Sequence, residues 1–522
     1  MPKYNQDLTN SPASVRKSVV VTMGSKLAAG LVNFAAAPIY MHLVGPEGYG
    51  FIGVFVTLQG VLQILEVGLT TTSSREVAMQ SVRSGAAQNI RDFFRTIEAA
   101  YWAAAILLCA ASPLLATVLT RNWLRFNQLS ASTLGIAIIC LVISIALQWP
   151  GSLYFGGLMA LQKPLIANTI YSGGAIVKVA FSLGILMFVD RSVTAFCLVQ
   201  AAVTLVTISA MAVALWSSLP RGNGRPRFRV QMLKATLGLS AAISGVSLFS
   251  TCLNQTDKVI LSRYLQLADF GYYMLACTLA ASLYMLVTPV CASVFPRLSQ
   301  HAALEDITSV NDLYAKSIQL VTVVLAPVTV VTVFFAGPII RIWTRDATAA
   351  HHAAGIAAVL VIASLVSAFL EVSLNVQRAL GLIRFSLAIT GLGVVLVIPM
   401  IVAGVKLFGP IGGASAFALA KGFSAVVQIG YTDWALHNKF TRIWSYRDFW
   451  LPIGACLLTV GLCRWCIGGG FQSPTGMTTA VAVALVLGYA VTAAATPVMM
   501  STANETVRAV TRRYARPLGA TQ

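Results

Sequence analysis

Fourteen stretches of the chain are long enough and apolar enough to cross a lipid bilayer, and that count constrains the fold more than any motif does. They run at about 17–42, 48–71, 93–119, 131–156, 165–189, 193–216, 235–262, 268–296, 314–340, 349–376, 383–405, 411–434, 449–470 and 474–499. A hydrocarbon core about 30 Å thick takes about 20 residues of helix per crossing. Backbone groups in lipid have no water to bond, so each crossing must satisfy its own amides as a helix. Composition agrees, with 57% hydrophobic and 10% charged residues, against about 25% charged in an ordinary soluble domain. The expectation is an all-α polytopic membrane protein.

The charge balance is 36 Lys and Arg against 17 Asp and Glu, a formal +19. The basic residues are scattered over short loops, without the stripe interleaved with aromatics that nucleic acid would need, so no nucleic-acid partner is expected. They report orientation instead. Loops assigned alternately from an inner start carry a basic excess of about three to one on the inner side, which places both termini in the cytoplasm. The first apolar run is too long for a signal-peptide core and is expected to stay as a membrane helix. Six of the nine cysteines, from Cys109 to Cys291, lie in apolar runs and read as small hydrophobes. Cys463 and Cys466 have no second pair or His nearby, and no metal or other cofactor is expected.

The chain also repeats itself. Residues 31–58 align without a gap on 252–279 at an offset of 221, pairing Asn33 with Asn254, Tyr49 with Phe270, Gly50 with Gly271 and Thr57 with Thr278. The same offset pairs Lys163 with Arg384 and Thr169 with Thr390, and an offset of 220 pairs Arg121 and Trp123 with Arg341 and Trp343. These separated matches predict two homologous six-helix lobes in parallel orientation. The domain expectation is an N-terminal lobe over 1–216, a basic cytoplasmic linker over 217–234, a C-terminal lobe over 235–434, and two extra spans with a cytoplasmic tail over 435–522.

Polar residues inside these apolar runs resemble a known pattern. Asn33 and Pro38 are followed by LVGPEGYG at 43–50, then by Glu66, Gly68 and Leu69, and then by Arg75; the second lobe carries LNQTDKVILSRYLQLADFGYY at 253–273. In these features the chain resembles the multidrug, oligosaccharidyl-lipid and polysaccharide (MOP) flippase superfamily, in particular its polysaccharide-transporter branch of O-antigen and exopolysaccharide flippases. The resemblance covers roughly residues 15–435 and departs at Glu66, where the family usually has Asp. It implies a bacterial inner-membrane protein that flips an undecaprenyl-diphosphate-linked oligosaccharide outward by alternating access. Membrane lipids, a polysaccharide polymerase and glycosyltransferases are the implied partners. A cation-coupled multidrug exporter and a flippase for the peptidoglycan lipid precursor are the alternatives within the superfamily.

No phosphate-binding loop, metal motif or nucleophile elbow occurs, so the expectation is a transporter and not an enzyme. The candidate site residues are ionisable or polar groups where lipid disfavours them. Lys26 and Asn33 are seven apart and share a helix face, as do Asn254 and Lys258, and with Arg75 these five are the expected substrate contacts. Glu66, Asp257 and Glu371 are the expected ion-coupling acids. Competing readings accompany each: Lys26 and Glu66 neutralise one another, Asn33 and Asn254 tie helices together, Arg75 marks orientation, and Lys258 snorkels to the interface. Asp257 and Lys258 are sequence neighbours and are not expected to face each other, so at least one needs another partner.

Overall fold

The structure is a computed structural model that describes residues 12–63, 87–220, 222, 224–436, 449–467 and 474–496. It consists of helices α1 (Pro12–Gln63), α2 (Ala87–Val118), α3 (Ala131–Ala160), α4 (Pro164–Phe188), α5 (Val193–Ser218), α6 (Val230–Tyr264), α7 (Leu267–Tyr284), α8 (Val287–Ala303), α9 (Ile307–Phe334), α10 (Ala336–Thr344), α11 (Ala347–Ala379), α12 (Ile383–Ala435), α13 (Leu451–Ile467) and α14 (Pro474–Ala495). A π-helical turn at Leu119–Trp123 extends α2. No strand occurs among the described residues. The chain ends, expected on the cytoplasmic side, lie outside them.

Ten helical stretches are long and apolar enough to cross a membrane, with α7 and α8 forming one of them. Two of the ten, within α1 and α12, contain a backbone break and count as two crossings each. Adding α6, whose charged residues stand only towards its two ends, and the shorter apolar α13 gives the fourteen expected from sequence. The sequence reading assigns a separate helix to each crossing. Here the first and second, and the eleventh and twelfth, run together without a loop. Gly45 (φ 74°, ψ 172°) and Gly409 (φ 64°, ψ −146°) make the breaks, in backbone regions open essentially to glycine alone. Each is followed by a proline, Pro46 or Pro410, within the shared pattern L-x-G-P-x-G at 43–48 and 407–412. Pro38 lies in regular helix, and Gly45 does the bending.

Packing divides the chain into two compact units, Met1–Leu275 and Ala276–Gln522. The repeat boundary and this packing boundary measure different things, correspondence of sequence in one case and contact between helices in the other. In the first unit the core joins α2, α3 and α5 through Phe93, Phe94, Ile97, Tyr154, Leu158, Met211 and Leu215. In the second, α13 and α14 place Cys456, Val460 and Ala484 against Val330 and Val331 of α9. Large apolar side chains are exposed around both, including Leu107 (71%), Phe188 (87%), Val213 (70%) and Leu458 (71%). Such a surface suits lipid and not water. Some buried hydroxyls are satisfied within their own helices, as when Thr57 donates to the Gly53 carbonyl and Thr322 to that of Ile318.

The repeat has a physical counterpart in the first unit. A Cβ at Gly50 would lie 1.9 Å from the Leu267 carbonyl oxygen and 3.2 Å from the Gly271 nitrogen, and one at Gly271 would lie 2.3 Å from the Pro46 oxygen. The two glycines matched by the offset of 221 therefore pack backbone to backbone, α1 against α7. Around them Glu47 is 5% exposed and its carboxylate accepts from the amides of Asn127 (2.6 Å) and Gln128 (2.7 Å). The Leu267 amide donates to the Arg125 carbonyl at 2.7 Å.

Candidate functional site

Glu66 and Arg75 lie outside the described residues, and of Lys26 only the backbone, part of α1, is described. Asn33 is exposed, and its amide donates to the Ala29 carbonyl one turn back at 2.8 Å. The remaining candidates fall into two clusters, one in each unit.

In the first unit Asn254, Asp257 and Lys258 occupy one turn of α6. Asp257 is 1% exposed. Its carboxylate accepts from the Tyr273 hydroxyl of α7 at 2.6 Å and from the Lys258 ammonium at 3.3 Å, and that ammonium also donates to the Asn254 carbonyl at 2.9 Å. The expectation that neighbours on a helix do not meet fails here. Their Cβ atoms do diverge, but the four-carbon lysine stem folds back along the helix and brings its tip to the acid. It does not snorkel outward: the side chain is 19% exposed and held by its own turn. The expectation of a further partner holds, and Tyr273 is that partner. Breaking a buried pair of this kind costs about 3–5 kcal/mol, which makes it an anchor between α6 and α7.

In the second unit a cavity of about 400 Å³ opens between α8 and α11. Glu371, Asn375 and Arg378 line it from one face of α11, four and three residues apart, opposite Tyr284, Thr288, Cys291 and Phe295. One Arg378 nitrogen donates both to Glu371 and to Asn375, each at 2.9 Å. This ion pair is open, with side-chain exposures of 43% for Arg378 and 29% for Glu371. Pairs so exposed contribute about 0–1 kcal/mol. The guanidinium can therefore exchange its carboxylate for another anion at little cost, which the buried Asp257 pair cannot do. The cavity also supplies an amide, hydroxyls and two aromatic rings, a set suited to a ligand that combines negative charge with hydroxyl groups.

Of this cluster the sequence reading names Glu371 alone. Arg378 falls two residues beyond the expected end of its span at 376, whereas α11 continues to Ala379. The spacing of Glu371, Asn375 and Arg378 was a usable signal. The apposition of Tyr284 and Cys291 was not, because it depends on how the end of α7 and the start of α8 pack on α11.

A family model described as "Polysaccharide biosynthesis protein" matches residues 41–345. A Shigella flexneri protein described as "Putative O-antigen transporter" is 21% identical over 386 residues, covering 72% of this chain and 87% of that protein. Among solved structures, the lipid II flippase MurJ in an inward closed conformation superposes with a TM-score of 0.72 at 14% identity, covering 91% of this chain and 97% of MurJ. An inward-facing MATE-family multidrug resistance transporter of the MOP superfamily gives 0.66 at 11% identity, covering 78% of this chain and 94% of that one. These last two establish the fold, including, for MurJ, nearly the whole length. The family model spans more than half of the sequence, so the chain belongs to the polysaccharide biosynthesis protein family.

Proposed function

We propose that this protein moves an undecaprenyl-diphosphate-linked oligosaccharide from the cytoplasmic to the outer leaflet of a bacterial inner membrane, for O-antigen or exopolysaccharide assembly. The match to the polysaccharide biosynthesis family carries this reading. The description of the Shigella relative as an O-antigen transporter supports the cargo class. The cavity between α8 and α11 supports its chemistry. Arg378 would take a phosphate oxygen in place of Glu371, through charge-assisted hydrogen bonds that are strong where water is scarce. Asn375 and Glu371 would take sugar hydroxyls, and the rings of Tyr284 and Phe295 would cover sugar faces. Lys26, Arg75, Asn33 and Asn254 remain proposed headgroup contacts and Glu66 and Glu371 proposed coupling acids, whereas the enclosed Asp257–Lys258 pair is given a structural role. A polymerase and glycosyltransferases would act on the same cargo.

Desolvating a charged, hydroxyl-rich headgroup is the barrier to unassisted crossing. Polar groups presented to one side of the membrane at a time lower it, and no ATP is needed to bias the direction. A headgroup with about two negative charges moving outward across an inside-negative potential gains roughly 2.3 kcal/mol per charge per 100 mV.

A deletion strain should accumulate the lipid-linked repeat on the cytoplasmic leaflet. Complementation with R378Q or E371Q should restore membrane expression, with R378Q restoring little surface polymer. Normal polymer in the deletion strain would overturn the cargo assignment. The superposition on MurJ over nearly all of the chain favours a second reading, a peptidoglycan-precursor flippase. That reading requires the gene to sustain growth in a strain depleted of its lipid II flippase.

A further inference from the structure

The basic segment between α5 and α6 is bound along one face of α2. Gln88, Asp92 and Thr96 stand four residues apart on that helix, so their side chains form a ladder. The Gly224 amide donates to Gln88 (3.1 Å), the Arg227 amide to Asp92 (2.9 Å) and the Arg229 amide to Thr96 (2.9 Å). Gln88 in turn donates to the Arg225 carbonyl at 3.2 Å and Arg91 to that of Pro220 at 3.4 Å. The Arg229 guanidinium closes on Asp92 at 2.7 Å, and Asp92 is 1% exposed. A segment without helix or strand must find partners for its amides. Here a dedicated ladder supplies them, which fixes the path of the segment.

That path leaves Arg225, Arg227 and Lys234 exposed, with Phe228 at 51% and Val230 at 53% exposure among them. No acidic residue occurs anywhere from 191 to 256. The segment joins the end of α5 to the start of α6, two membrane crossings, so it emerges at a bilayer edge, where headgroup charge acts over about 8 Å at physiological salt. Basic side chains alternating with exposed apolar ones match an anionic lipid surface, which offers negative headgroups above an apolar layer. A soluble diphosphate would instead need convergent guanidinium groups, and an extended backbone spreads alternate residues about 7 Å apart.

We propose that residues 224–234 form a membrane-binding strap, clamped to α2 by Gln88, Asp92 and Thr96, that holds anionic phospholipid headgroups. The strap is independent of the cargo. Its test is native mass spectrometry of the full-length protein in non-ionic detergent, titrated with phosphatidylglycerol and, separately, with phosphatidylcholine. The wild type should retain phosphatidylglycerol preferentially. R225Q/R227Q, both exposed, should weaken that binding by about thirtyfold, and K316Q in α9 should leave it unchanged. D92A raises the net positive charge yet should weaken binding, because it releases the clamp. The proposal is overturned by equal retention of both lipids, by unchanged binding in R225Q/R227Q, by equal weakening in K316Q, or by tighter binding in D92A. Displacement of the lipid by millimolar inorganic pyrophosphate would also overturn it, by pointing to a phosphate site.

Discussion

At the scale of single residues, two ion pairs of similar length have opposite expected roles because their exposure differs. Asp257 is enclosed by Lys258 and Tyr273, whereas Glu371 and Arg378 face a cavity. Equilibrium unfolding in mixed micelles should show D257A destabilised by about 3 kcal/mol and Y273F by about 1 kcal/mol. E371A and R378A should each cost less than about 1 kcal/mol while reducing transport. A second residue, Asp306, caps α9: its carboxylate accepts from the Ser309 amide at 3.0 Å and from the Thr308 hydroxyl at 2.7 Å. Side-chain hydrogen bonds from Ser309 and Thr308 hold its pKa well below the ordinary 3.8, aided by the Ser309 amide. A lowered pKa stabilises the fold above the ordinary value, and that contribution is lost as pH falls through the lowered one. The stability difference between wild type and D306A should therefore be present at pH 5 and shrink below about pH 4, as followed by thermal unfolding.

At the scale of elements, the glycines of α1 separate two kinds of constraint. Gly45 has open space around a would-be Cβ but a backbone conformation that other residues resist, at a cost of about 1–3 kcal/mol. Gly50 is regular helix, yet a Cβ there would strike the Leu267 carbonyl at 1.9 Å, and backbone cannot rotate aside as a side chain can. G50A should thus separate α1 from α7 and fall in yield and monodispersity on size-exclusion chromatography more than G45A does. If G50A behaved like the wild type, the close backbone approach would be disproved. Gly50 and Gly271 were legible as a matched pair in the repeat. That the two members touch each other was not, because correspondence in sequence says nothing about where a relating axis passes. The joined crossings were missed for a local reason: the GP dipeptides at 45–46 and 409–410 read as loops, and in each the glycine takes the whole bend in a single residue.

At the scale of the whole molecule, transport biased by membrane potential and transport driven by a coupling ion make different demands. In proteoliposomes containing a lipid-linked glycan, an imposed inside-negative potential should speed outward movement in the absence of any proton or sodium gradient. A rate that ignores potential and follows an ion gradient would move the driving role to Glu66 or Glu371. The sequence by itself determined the class of fold: apolar runs of membrane length leave helices as the only form, and the count of those runs gives the number of crossings. It also marked Asp257, Lys258 and Glu371 as anomalous, since charge within an apolar run is visible without coordinates. Only tertiary structure decided which partners those charges meet and how far they are buried. Burial and partner are properties of packing between helices, so the same kind of charge reads as an anchor where α6 meets α7 and as an exchangeable contact where α8 and α11 leave a cavity.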